Sequence, residues 1–190
     1  MSALRFSRLL FVGTGAASAA FLPFWLNWLQ LTHPGLDTQV VLTRSAQRFV
    51  TRDALSACTR QPVLEDSWPD GPSRSARHVE LAEWAEAIAV YPATLHFTAR
   101  LALGLADSPA LLAAQCGDAP IALAPALPPG GAASAAYSSH RETLRQRDNL
   151  VLVPPQPGLS RTTGRQDAWV PADLPVVLAA LAELHAGGLR

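Results

Sequence analysis

Short apolar runs alternate with longer amphipathic stretches along this chain. Arg8 to Val12, Gln39 to Leu42, Ala87 to Tyr91, Ile121 to Ala124 and Leu150 to Val153 are rich in Leu, Val, Ile and Ala, and each predicts a strand buried on both faces. Between them, Ala17 to Leu31, Ala46 to Cys58, the segment opening at His78, Thr94 to Leu105, Pro109 to Ala114, Tyr137 to Gln146 and Pro171 to Ala186 carry helical spacing. Strand and helix in alternation predict a parallel sheet covered on both sides, an α/β fold in a single domain spanning 1–190. Ligands of such sheets bind beyond the carboxyl ends of the strands. The turns expected there are Gly13-Thr14-Gly15-Ala16, Thr43-Arg44-Ser45, Pro92-Ala93-Thr94 and Pro125-Ala126-Leu127. Two low-complexity stretches, 128–136 and 154–167, are expected to be flexible loops beside the substrate.

Composition narrows the possible functions. The 190 residues suffice for a core without staples, and an apolar fraction of 49% against 16% charged predicts extensive contact between subunits. Formal net charge is zero and every basic residue is Arg, so no basic stripe for nucleic acid is expected. Cys58 and Cys116 make no disulfide framework, and no Cys or His spacing suits a metal. Leu9 to Leu31 imitates a signal peptide or membrane anchor, with Arg5 and Arg8 ahead of it and Ala17-Ser18-Ala19 as a cleavage site. Gly13-Thr14-Gly15, Pro23 and Asn27 interrupt the run, so strand, loop and helix in a cytoplasmic protein, with no membrane, is the expectation.

Gly13-Thr14-Gly15-Ala16 between a strand and a helix suits an anion, because backbone amides approach it closely there; a plain tight turn fits the same residues. Ser45 is an ordinary helix N-cap candidate. His78, in Ala76-Arg77-His78-Val79-Glu80-Leu81, stands at a helix start between two strands, where a lone surface histidine would be unremarkable. Together with Thr43-Arg44-Ser45-Ala46 upstream and Pro92-Ala93-Thr94-Leu95-His96-Phe97-Thr98 downstream, it resembles the FMN-dependent cysteine decarboxylases, the family of phosphopantothenoylcysteine decarboxylase and of the peptidyl-cysteine decarboxylases of peptide-antibiotic pathways. The likeness runs from about Leu9 to Arg165 and is strongest from Gln39 to Asp107.

That resemblance implies a flavodoxin-like subunit that binds FMN through Gly13, Thr14, Gly15, Ala16, Thr43, Ser45, Pro92, Ala93, Thr94, His96, Phe97 and Ala126. It implies a catalytic base or proton relay at His78, work suited to an imidazole. The chain departs from the family at three places. His96 replaces an asparagine and either donates from its ring nitrogen or packs; Phe97 replaces a small residue and reads as packing or as shape beside the flavin. Pro125 to Ala132 keeps only the proline of the family's Pro-x-Met-Asn-x-x-Met-Trp, whose asparagine recognises the cysteine carboxylate. Leu127 and His96 then face the substrate, and Arg165 in Thr162-Thr163-Gly164-Arg165 is expected to clamp the carboxylate, although an unpartnered surface arginine fits the same sequence.

In phosphopantothenoylcysteine decarboxylases a cysteine in that last loop completes a saturated product, and here no cysteine follows residue 116. The resemblance therefore implies oxidation of the C-terminal cysteine of a ribosomally made precursor peptide to a thioaldehyde, then loss of carbon dioxide. The enethiol left would feed an aminovinyl-cysteine ring. A closed homo-oligomer, a trimer or a tetramer of trimers, is implied as well. The alternatives are a phosphopantothenoylcysteine decarboxylase, a flavin prenyltransferase on a related fold, and an FMN-binding regulatory subunit without turnover.

Overall fold

The computed structural model describes residues 4–69, 71 and 75–188. Strands β1 (Arg8–Gly13), β2 (Asp37–Leu42), β3 (Leu64–Glu65), β4 (Ala87–Thr94), β5 (Ile121–Ala126) and β6 (Leu150–Leu152) form one parallel sheet in the order β3-β2-β1-β4-β5-β6. Helices α1 (Leu22–Thr32), α2 (Arg52–Ser56), α3 (Arg77–Trp84), α4 (Leu95–Ala102), α5 (Pro109–Cys116), α6 (Ala135–Arg145) and α7 (Leu174–Gly188) cover it. This is the expected flavodoxin-like single domain.

Alternation along each strand sorts side chains to the two faces. Leu9 and Phe11 of β1 pack with Leu22, Leu26 and Leu29 of α1 and Val177, Leu178 and Leu181 of α7. Leu10 and Val12 face the other way, toward Leu81 of α3, Phe97 and Leu101 of α4 and Leu111 of α5. Each large side chain so buried contributes about 1.5–3 kcal/mol. Glu86 secures the start of β1, accepting from the backbone N–H groups of Ser7 (2.6 Å) and Arg8 (3.2 Å) and pairing with the Arg8 guanidinium. The Ser7 amide bond is the main reason its carboxyl sits below the ordinary glutamate value.

Several expected boundaries move. The helix expected over Ala17 to Leu31 divides into a 3-10 turn at Ala17–Phe21 and α1, with Pro23 in the first turn of α1. Lacking an N–H, proline fits a helix start and not its interior. Ala46 to Cys58 is likewise split into a 3-10 turn, Ala46–Arg48, and α2, which Thr51 caps by accepting from Ala54 N–H at 3.2 Å. Strand β3 was not anticipated, since two residues carry no period. Nor was the hairpin of β7 (Gln156–Gly158) and β8 (Ala168–Val170) within and just beyond the supposed 154–167 loop. Its three-residue strands hold by pairing with each other and by Trp169, which exchanges two main-chain hydrogen bonds with Leu127 (2.8 and 3.0 Å). The other supposed loop, 128–136, already contains the first two residues of α6, which Ser134 caps by accepting from Tyr137 N–H. Of the loop expected over 66–75, residues 70 and 72–74 lie outside the described residues.

Candidate functional site

The loops after β1 and β2 meet the carboxyl end of β4 at one edge of the sheet. Pro92-Ala93-Thr94, expected as a turn, is the end of that strand, which runs directly into α4, and Thr14 ties the loop after β1 to it. Its hydroxyl donates to the Pro92 carbonyl (2.7 Å) and accepts from Thr94 N–H (2.8 Å), and the side chain is buried. Thr94 in turn caps α4 by accepting from Phe97 N–H at 3.2 Å. The Tyr91–Pro92 peptide is cis, and the register of β4 against β5 shifts between Val90 and Ala93. After β2 the expected cap is reassigned: Thr43 Oγ1 accepts from Ala46 N–H (3.3 Å), while Ser45 makes no cap bond and leaves its hydroxyl 3.2 Å from that of Thr43. Gly15 lets these two loops touch, because a Cβ there would stand 2.5 Å from Ser45 Cβ.

Two clefts open at this edge. The first, of about 520 Å³, is lined by Thr14, Thr43, Ser45, Thr94, His96 and Phe97 among the expected residues, and by Arg44, Arg48, Asp66, Arg100, Asp107 and Ser108 besides. The second, of about 450 Å³, takes in Gly15, Ala16, Ala126 and Leu127 and is closed by Leu159 to Thr162 and by the hairpin residues Ala168, Trp169 and Val170. Thr94 and His96 line both, so the clefts are joined there. Volumes of this size are those of small-molecule and cofactor sites, about 300–1,000 Å³.

His96 is exposed at this junction, which removes the packing alternative for it, whereas Phe97 is 1% exposed and belongs to the core. Gly13, Pro92 and Ala93 line neither cleft; they support the loops from behind. His78, in the first turn of α3, is set back from the first cleft. Its ring lies edge-on to Trp68 at 5.7 Å, and Trp68 donates through Nε1 to the Asp107 carbonyl on the rim (3.2 Å). The Nδ1 atom of His78 is buried without a hydrogen-bond partner among the described residues. Arg165 is largely exposed, pairs with Asp167 at 3.0 Å and lines neither cleft; Arg161 is the guanidinium on the second one.

The electrostatics of the first cleft are divided. Arg100 is held by Asp107, and Asp66 accepts from Ser108 Oγ (2.7 Å) and Ala110 N–H (2.9 Å), closing the first turn of α5. Burial pushes the Asp66 carboxyl above the ordinary aspartate value against those bonds. Arg44 and Arg48 have no ion-pair partner among the described residues and are left to face a ligand. Both arginines flank Ser45 in sequence, a signal that was present but carried no period or motif; Arg161 and Trp169 had no signal short of the hairpin that delivers them.

The donor set fits a phosphorylated flavin. Thr43 and Ser45 hydroxyls, two free guanidiniums and the open N–H groups at the start of the 3-10 turn at Ala17 suit a phosphate, and the apolar walls at Ala126, Leu127 and Val170 suit a ring system. Neither Cys58 nor Cys116 lines either cleft.

Similarity to known proteins points the same way. The chain is 35% identical over 175 residues, 92% of its length and 90% of the relative's, to a cypemycin cysteine dehydrogenase (decarboxylating) of Streptomyces sp. Its fold superimposes on the crystal structure of the cypemycin decarboxylase CypD with a TM-score of 0.82 at 32% identity, covering 100% of this chain and 99% of that one. It superimposes on the FMN-dependent cysteine decarboxylase SpaF with a TM-score of 0.80 at 25% identity, covering 96% and 99%. The Flavoprotein family model matches residues 2–169, and with that match and the relative at 35% identity the chain belongs to the Flavoprotein family.

Proposed function

We propose that this chain binds FMN across the joined clefts and oxidatively decarboxylates the C-terminal cysteine of a ribosomally synthesised precursor peptide, releasing an enethiol for aminovinyl-cysteine formation. The observation that carries this reading is the second cleft. It joins the flavin-sized first cleft at Thr94 and His96 and is roofed by a hairpin, in a chain similar over nearly its whole length to a decarboxylating cysteine dehydrogenase.

Thr43, Ser45, Arg44 and Arg48 hold the phosphate, and the Gly13 to Ala16 loop sets its approach. The chemistry supplied by bound FMN is two-electron oxidation of the cysteine side chain. His78 acts on the thiol proton as base or proton relay from its place behind Trp68 at the rim of the first cleft, where its Nδ1 has no hydrogen-bond partner among the described residues. Arg161 on the cleft, with Arg165 close by in sequence, provides positive charge for the terminal carboxylate in place of the family asparagine. Leu127 and Trp169 wall the cleft and exclude water while carbon dioxide leaves. Among the described residues neither cleft carries a thiol to give the proton with which reduced flavin would return its electrons, so the unsaturated enethiol is the end product and an external oxidant such as oxygen takes the two electrons from the flavin.

Incubating the FMN-loaded protein with cysteine-terminated peptides is expected to give a mass loss of carbon dioxide plus two hydrogens and a product that thiol reagents trap. Amidation of the peptide terminus is expected to abolish it. Loss of carbon dioxide alone, leaving a saturated amine, would assign the chain to phosphopantothenoylcysteine-type decarboxylation. Bound FMN without turnover of any peptide would leave a regulatory subunit.

The protein works as a cytoplasmic homo-oligomer, a trimer or a tetramer of trimers. What supports self-association is an apolar ridge on the first helical segment, where Phe21, Phe24 and Leu31 are 61%, 62% and 76% exposed. Among the described residues no helix is long and apolar enough to cross a membrane. Light scattering at micromolar concentration is expected to show a closed oligomer and its dissociation in Phe24→Asp. A monodisperse parent monomer that still binds FMN would contradict the assembly.

A further inference from the structure

Across the hairpin from the second cleft lies a cavity of about 530 Å³ that the reaction does not use. Tyr137, Arg141 and Arg145 recur every fourth residue on α6, which stacks a phenol and two guanidiniums along one stripe of the helix. Pro154, Pro155 and Trp169 also line the cavity. Tyr137 is only 3% exposed, yet its hydroxyl has no hydrogen-bond partner among the described residues, and Arg141 Nε is buried and unpartnered as well. Neither Arg141 nor Arg145 has an ion-pair partner among the described residues. A buried hydroxyl without a partner is unfavourable unless something arrives to accept from it. Burial keeps the phenol protonated at neutral pH, with both arginines opposing the shift, so it stands as a neutral donor beside two cations. A phenol and two guanidiniums lining one cavity suit an anion able to accept several hydrogen bonds.

We infer that this cavity binds a carboxylate, and that the carboxylate is an acidic side chain lying upstream of the C-terminal cysteine in the peptide substrate. The inference rests on the peptide reading above and extends it to sequence preference. Trp169 is the link: the same residue lines the second cleft and this cavity, and its main chain is fixed to Leu127. A peptide with its terminal cysteine in the second cleft and its preceding residues passing Trp169 meets Tyr137, Arg141 and Arg145 next.

The test uses FMN-loaded protein and peptides ending in cysteine, with a single glutamate moved through the upstream positions and glutamine as the control at each. Binding is followed by calorimetry and turnover by mass spectrometry. One position is expected at which glutamate binds about tenfold or more tightly than glutamine, with KM lowered to match and kcat unchanged. Arg141→Gln and Tyr137→Phe are expected to erase that difference while leaving the glutamine peptide as it was. Equal binding at every position, or a preference that survives both substitutions, would overturn the assignment. A glutamate preference in binding without turnover of any peptide would sink the decarboxylase reading and leave the carboxylate site standing. Should Arg141→Gln or Arg145→Gln instead split the oligomer in sedimentation while the parent shows no glutamate preference, the carboxylate belongs to a second copy of this chain, and the peptide assignment fails.

Discussion

His78→Asn is expected to keep FMN and lose most decarboxylation, by about a hundredfold or more if the imidazole transfers the thiol proton. Asparagine is close to histidine in size and can still hydrogen-bond, but it does not titrate near neutrality. The ring sits in the first turn of α3 against Trp68, and its Nδ1 is buried with no hydrogen-bond partner among the described residues, so the substitution breaks no hydrogen bond of Nδ1 to them. Flavin absorbance reads cofactor occupancy and peptide mass reads turnover, which separates the two functions. Turnover like that of the parent would move the proton-transfer role to His96, the exposed imidazole where the clefts join.

Gly15→Val is expected to release the flavin. A Cβ at residue 15 would lie 2.5 Å from both Cβ and Oγ of Ser45 and 2.9 Å from the Ser45 carbonyl carbon, so the loops after β1 and β2 must part. Strain of this kind costs about 1–3 kcal/mol. Because Ser45, Thr43 and the Gly15 turn are the parts proposed to bind the cofactor together, that strain lowers FMN affinity by about ten- to a hundredfold. Gly35→Val is the control, since nothing lies within 4 Å of a Cβ there. Fluorescence titration of the stripped proteins with FMN measures both. Parental affinity in Gly15→Val would mean that the apposition of these loops does not carry the cofactor.

The parallel strands and their covering helices were legible because doubly buried strands must be apolar throughout, and amphipathic helices must repeat near 3.6 residues. The turns after β1 and β2 followed, since in a parallel sheet every turn after a strand falls at one edge, whereas Pro92-Ala93-Thr94 and Pro125-Ala126, expected as turns, prolong β4 and β5. Helix ends were less legible: Pro23 and Thr51 restart helices within stretches whose helical spacing hides the break. His96 could be assigned an exposed position only once α4 was in place, because a residue at the second position of a helix reads the same in sequence whether it faces core or cleft.

By itself, then, the sequence determined the α/β architecture, the strand-end segments that line the two clefts, and the resemblance of those segments to flavin-binding cysteine decarboxylases. These are properties of local pattern and spacing. Only the tertiary structure decided that Thr14 uses its hydroxyl to tie Pro92 to Thr94, that Arg161 lines the second cleft while Arg165 pairs with Asp167, and that Trp169 lines two cavities at once. Those outcomes depend on contacts such as Leu127 with Trp169, formed between segments far apart in the chain and too short to announce themselves by periodicity.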